Sequence, residues 1–190
     1  NLSALRFAEI AQAAGLPDGA LNVVTGLGEE AGAALAAHPG IDFVSFTGSN
    51  EVGTLVQQAA AMNAVKCTLE LGGKSPQIVF ADADLDAALP FLVNAGIQKA
   101  VQTCSAASRI LVEQPIFDRV VKLMGERYRL LRVGPAIDDP DVGPLISQRQ
   151  RETVNNYLAI ARDTGLRVAG QAELPASLPL LAVSPMILTY

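Results

Sequence analysis

An α/β fold built on parallel strands is predicted by three features of the sequence. Short β-rich runs alternate with helical stretches through the first third of the chain, glycine turns stand twice between a strand and a helix, and no repeat or low-complexity tract interrupts the order. Strand, crossover and strand in that sequence is the written form of parallel pairing with right-handed connections. With 50% of its 190 residues hydrophobic, the chain can bury one good core or two small ones, and it lies far from the profile of disorder.

The elements follow in order. "NLSALRFAEIAQAAGLPDG" reads as an amphipathic helix with Phe7, Ile10, Ala11 and Ala14 at helical spacing and a stop at Gly15 and Pro17. "LNVVT" (21–25) reads as a strand, "EEAGAALAAH" (29–38) as a helix, "DFVSFT" (42–47) as a strand, "NEVGTLVQQAAA" (50–61) as a helix and "VKCTLEL" (65–71) as a third strand. Past a glycine turn, a strand is expected at 76–80, a helix from about Leu85, a strand at "RILVE" and an amphipathic helix ending at Gly134. Ser147 and Gln150 have the spacing of a capping box before one more helix. A start on Asn1 inside a helix, and a finish on the apolar, strand-like "LPASLPLLAVSPMILTY", read as part of a longer polypeptide.

Charge removes some functions. A net charge of −5 without clustered Lys or Arg offers no footprint for nucleic acid or an anionic membrane, and no apolar run has the ~18 residues of a spanning helix. Two cysteines make no disulfide framework, so the expected compartment is a reducing cytoplasm, with no targeting segment at the start. No Cys/His set has zinc spacing, and Asp138, Asp139 and Asp141 lack the length and order of a calcium loop; they are read as turn acids.

Ligands of parallel sheets sit at the carboxyl ends of strands, where the next helix offers free N–H groups to phosphate. Gly26, Gly28 and Ala31 in "TGLGEEA" match the G-x-G-x-x-A pattern, which also serves ordinary strand-to-helix turns; both readings stay open. Gly48 and Ser49 in "FTGSNEVG" open a helix directly after a strand, with Ser49 placed to cap it.

Cys104 lies in "QTCSAASR", among small and polar neighbours that leave a side chain open to substrate. On those eight letters alone the first reading is a small residue at the start of a strand. Cys67 stands three residues before Glu70 in a predicted strand, so alternation places the two on opposite faces and Cys67 reads as core. His38, the one histidine, closes a helix before Pro39, which weakens a Cys/His hydrolase reading. Lys74 and Arg109 are read as structural.

"FTGS", "LELGGKSP" and "QTCSAASR", in that order, closely resemble the NAD(P)-dependent aldehyde dehydrogenase superfamily, and "GLPDGALNVVTG" and "VGPLIS" extend the resemblance nearly end to end. The resemblance implies a parallel Rossmann-like sheet portion followed by part of an α/β catalytic domain: residues 1–73 as the later part of the NAD-binding domain, and 74–190 as the early part of the catalytic domain. It further implies that Cys104 is the nucleophile, that its backbone N–H serves the oxyanion, and that Glu70 is the general base. Gly28, Gly48, Ser49, Val52, Leu71 and Gly72 fall at the cofactor, which is NAD or NADP. The implied substrate is a small-molecule aldehyde, taken through a thiohemiacetal and a thioester to the acid. A homo-oligomer is implied for a full-length member.

The departures are specific. Lys99 and Val101 stand where family members usually have asparagine and glycine. Upstream residues for the oxyanion and the adenosine ribose, and a downstream glutamate for the nicotinamide ribose, fall outside the sequence. Poor aldehyde oxidation by the chain alone is therefore expected, and the rival expectation is a remnant that keeps the fold and binds no cofactor.

Overall fold

Leu2–Ala13 form the first helix, α1, and Gly15 ends it with a left-handed φ of +96°, the conformation for which glycine carries no steric cost. In the computed structural model residues 2–176 and 181–189 are described, and they fall into two units, Asn1–Gly72 and Gly73–Tyr190. Of the apolar closing stretch, residues 177–180 and 190 lie outside the described part, as does Asn1.

In the first unit the strand expected at 21–25 does not form. The run has β-rich composition and no ladder to join: among the described residues the sheet of this unit holds only β1 (Phe43–Gly48) and β2 (Lys66–Leu71). Val24 stands 80% exposed. A strand needs a pairing partner more than it needs propensity. The following helix begins at Gly28, one residue before the expected start. Its first turn is π-helical over Gly28–Gly32 before it becomes α2, Ala33–Ala36. A side chain at Gly26 would meet Ala31 Cβ at 2.8 Å, so the small residues of that motif are needed for a close approach.

β1 and β2 pair in parallel, with Thr47 opposite Glu70 and Gly48 opposite Leu71, across the helix α3, Asn50–Met62. Ser49 caps α3, its Oγ accepting from the Val52 N–H at 3.2 Å. Gly53 lets α3 lie against the sheet: a Cβ there would meet the Leu71 side chain at 2.6 Å. Exposure alternates along β2, so Glu70 faces solvent and Cys67 points the other way, half-buried.

The second unit pairs β3 (Pro76–Val79) with β4 (Arg109–Val112) in parallel across α4, Leu85–Ile97. Asp84 caps α4 by accepting from the N–H groups of Asp86 and Ala87. Its inner face, Leu85, Leu89, Leu92, Val93 and Ile97, meets Val120, Met124 and Tyr128 of α5, Phe117–Arg129, in one apolar core. Burial pushes the Tyr128 phenol up to about 12 by disfavouring its charged form. α5 stops at Arg129, short of the expected Gly134, and a 3-10 turn over Gln114–Ile116 precedes it. Ser147 caps α6, Gln148–Asp163, through the Gln150 N–H.

A strand without a forecast in the sequence, β5 (Arg167–Gln171), pairs antiparallel with β6 (Met186–Thr189). In "RVAGQ" Val168 is the one β-branched residue, and Gly170 weakens the pattern further. The glycine is there for tertiary reasons: a Cβ at Gly170 would strike the backbone of Gly125, where α5 crosses the strand. Among the described residues, no helix is long and apolar enough to cross a membrane.

Candidate active site

The residues expected to act lie in both units, and each unit builds its share from local rules. In the first, the helix of Gly28–Ala36 and α3 flank β1, and a cleft of about 850 Å³ opens between them. Gly28, Glu29 and Gly32 line one wall, Val52 and Leu55 the other, and Phe46 lies between. The walls are apolar and open: Val52 is 43% exposed and Leu55 59%. A Cβ placed on Gly28 would meet nothing within 4 Å, so its backbone lies free at the cleft's edge.

Of the six residues expected at a cofactor, Gly28 and Val52 line this cleft directly. Gly48 and Ser49 form the adjoining turn at the carboxyl end of β1, where a Cβ at Gly48 would strike the Phe46 ring. Ser49 spends its hydroxyl on the α3 cap. Leu71 packs under Gly53, and Gly72 follows it, exposed. Glu70 sits at the carboxyl end of β2 with its side chain in solvent.

In the second unit Cys104 is exposed and carries a free thiol. It follows the end of α4 after a turn in which Lys99, Ala100 and Val101 all have left-handed backbones, with φ of +53°, +54° and +62°. Three consecutive non-glycine residues in that region store strain of roughly 1–3 kcal/mol each. The loop is tied down by neighbours on every side. Ser75 Oγ donates to the Cys104 carbonyl at 3.2 Å, and Ser105 Oγ donates to Gln98 Oε1 at 3.0 Å. Gln77 Nε2 reaches the carbonyls of Leu92 and Ala107 at 3.1 and 3.3 Å. Arg109 Nε donates to the Lys74 carbonyl at 2.8 Å, a structural role as expected.

Sequence reading passed over Ser75, Gln77 and Gln102. Each makes at least one bond to a backbone carbonyl or amide far along the chain, and polar residues of that kind carry no periodic signal. The available clue was their nearness in sequence to the glycine pair and to Cys104. Elsewhere, Asp141 accepts from the Arg132 N–H at 2.8 Å and pairs with its side chain at 3.5 Å, the work of a turn acid. Among the described residues, no group of three or more His, Cys, Asp or Glu is placed to hold a metal ion.

A parallel strand-helix-strand unit with an open apolar cleft, followed in the chain by a unit that presents an exposed thiol on a strained loop, defines the class as α/β. The family model for the aldehyde dehydrogenase family matches residues 1–189, and the chain belongs to that family. Aldehyde dehydrogenase family 2 member C4 of Arabidopsis thaliana is 42% identical over 87% of this chain and 33% of its own length. A solved Burkholderia cenocepacia structure bearing the aldehyde dehydrogenase name is 54% identical with a TM-score of 0.95, over 98% of this chain and 40% of that one. Betaine aldehyde dehydrogenase of Staphylococcus aureus, solved in complex with NAD+, is 35% identical with a TM-score of 0.88, over 97% and 37%. The chain thus spans about a third of the length of the curated relatives it matches.

Proposed function

We propose that this chain carries the nucleophile and the dinucleotide cleft of an NAD(P)-dependent aldehyde dehydrogenase, the nucleophile being Cys104 and the general base Glu70. The observation that carries the reading is the open Cys104 thiol at the head of a loop held by four side chains, within a chain matched end to end by the family. Residues 1–73 are read as the later part of the NAD-binding domain and 74–190 as the early part of the catalytic domain.

The cleft suits a dinucleotide. Val52 and Leu55 offer apolar walls for a flat ring, Gly28 offers backbone, and the N-terminus of α3 beside Gly48 and Ser49 favours a phosphate. When bound, the dinucleotide supplies the hydride acceptor. The Cys104 thiolate adds to the aldehyde carbon, forming a C–S bond and a thiohemiacetal whose oxyanion accepts from the Cys104 N–H. Departure of the hydride leaves a thioester on Cys104. Glu70 takes a proton from water as the water adds to the thioester carbon, and the C–S bond breaks to release the acid and the Cys104 thiolate, the proton on Glu70 then passing to solvent. Two free cysteines support a reducing cytoplasm as its compartment. Homo-oligomers are proposed only for full-length polypeptides of this kind.

Acyl transfer can be tested without a cofactor, since an activated ester delivers the acyl group directly. Incubated with 4-nitrophenyl acetate and digested, the chain is expected to hold its acetyl group on the peptide containing Cys104. In Glu70→Gln that acetyl group should persist about 100-fold longer, the lower end of what a general base contributes. Acetyl groups spread over lysines and Cys67, or equal persistence in both proteins, would contradict these roles.

A further inference from the structure

Three left-handed residues in a row do not hold themselves in place, and strained backbone persists only where its surroundings over-determine it. Lys99 and Val101 are exposed, so burial does not fix them; Ala100 alone packs against the core. Ser105 holds Gln98 just ahead of the turn, and the side chain that bonds to the turn itself is Gln102, half-buried at its end. Its Nε2 donates to the Lys99 carbonyl at 3.2 Å, and its backbone N–H donates to the same oxygen at 3.2 Å. Its Oε1 accepts from the Ile146 N–H at 2.9 Å. One side chain thus closes the turn from inside and pins it to a segment more than forty residues along the chain.

We propose that Gln102 is a positioning residue for Cys104: its amide holds the Lys99–Val101 turn left-handed and so sets where the thiol two residues later stands. The role needs both ends of the amide. A carboxylate at this position could still accept from Ile146 but could not donate to Lys99, and it would repel that carbonyl. An alanine would lose both bonds and leave the turn free to relax. The proposal rests on reading Cys104 as the nucleophile only for its catalytic meaning; the placement of the thiol is a property of the loop itself.

The test uses the whole chain with Cys67→Ala, so that Cys104 is the single thiol, and measures the rate of alkylation by iodoacetamide across pH together with the thermal midpoint. Gln102→Ala is expected to change the alkylation rate by about threefold or more, and to shrink the midpoint gain produced by Val101→Gly, because residues sharing one strained turn are energetically coupled. In a Val101→Gly background the same substitution should change the rate by a smaller factor, since glycine keeps the turn without help. Gln102→Glu should follow the alanine variant, and it replaces that variant if alanine prevents folding. An alkylation rate within about threefold of the parent, or an equal factor in both backgrounds, would overturn the proposal. Alkylation needs no acyl transfer, so a wrong assignment of the nucleophile would show instead as missing acetyl transfer with the Gln102 effect intact.

Discussion

Cys104→Ser is expected to reduce acetyl transfer from 4-nitrophenyl acetate to the ester's own rate of hydrolysis, with no acetyl group left on the protein. An ordinary thiol, with a pKa of about 8.5, is a few per cent thiolate at neutral pH and intrinsically nucleophilic, whereas a serine hydroxyl reacts only when a base removes its proton. Among the described residues Cys104 has no histidine in its loop, and the neighbours Ser75, Ser105 and Gln102 are neutral. The exchange of sulfur for oxygen therefore removes the reactive species while leaving the loop's bond through the Cys104 carbonyl in place. Cys67→Ser makes the control. That thiol is half-buried in β2 and faces away from Glu70, so its loss should leave acetyl transfer unchanged. Acetyl transfer surviving in Cys104→Ser would assign the reaction to another group.

Val101→Gly is expected to stabilise the second unit. A β-branched side chain at a φ of +62° is held in a region that costs roughly 1–3 kcal/mol, and glycine enters it without that cost. Glycine also gives the unfolded chain more freedom, which offsets up to about 1 kcal/mol of the gain. Val101 is 44% exposed, so little apolar burial is lost with its side chain. At about 2–4 °C per kcal/mol for a chain of this size, a net gain of about 0–3 kcal/mol should raise the thermal midpoint by up to about 12 °C. Thermal unfolding followed by circular dichroism checks it. A midpoint that falls would mean that the valine side chain contributes more through contact than its backbone costs.

The same turn shows what the sequence carried and what it did not. Where the family resemblance sets glycine, Val101 implies either a left-handed backbone kept at a cost or a loop that relaxes and carries Cys104 away, and the backbone keeps a φ of +62°. That Ala100 shares the conformation had no signal, whereas the asparagine that the resemblance sets at position 99 is a residue that tolerates it. Most helices and the strands β1 to β4 were legible because periodicity and caps are local: Ser49 and Ser147 each cap the helix that follows them, as their spacing implied. The strand expected at 21–25 failed, and β5 went unseen, because pairing is decided by what lies alongside in space. Glu70 and Cys67 fell on opposite faces as alternation requires. The clamp of Ser75, Gln77 and Gln102 on the thiol loop depends on contacts between distant segments, which spacing does not encode.

Binding of NAD+ to the cleft is the most direct test that this chain is built for dinucleotide chemistry. A ligand that binds only the folded state stabilises it by RT ln(1 + [L]/Kd), about 2.7 kcal/mol at a hundred times Kd, which is about 5–10 °C for a chain of this length. The thermal midpoint should therefore climb with NAD+ or NADP+ concentration and level off in slope as the logarithm does. Val52→Asp, which sets a carboxylate in the apolar wall, should abolish the rise while leaving the midpoint without dinucleotide little changed, because Val52 is well exposed. A midpoint that stays flat with both dinucleotides would contradict the account and leave the chain as a member of its family that keeps the fold and binds no cofactor.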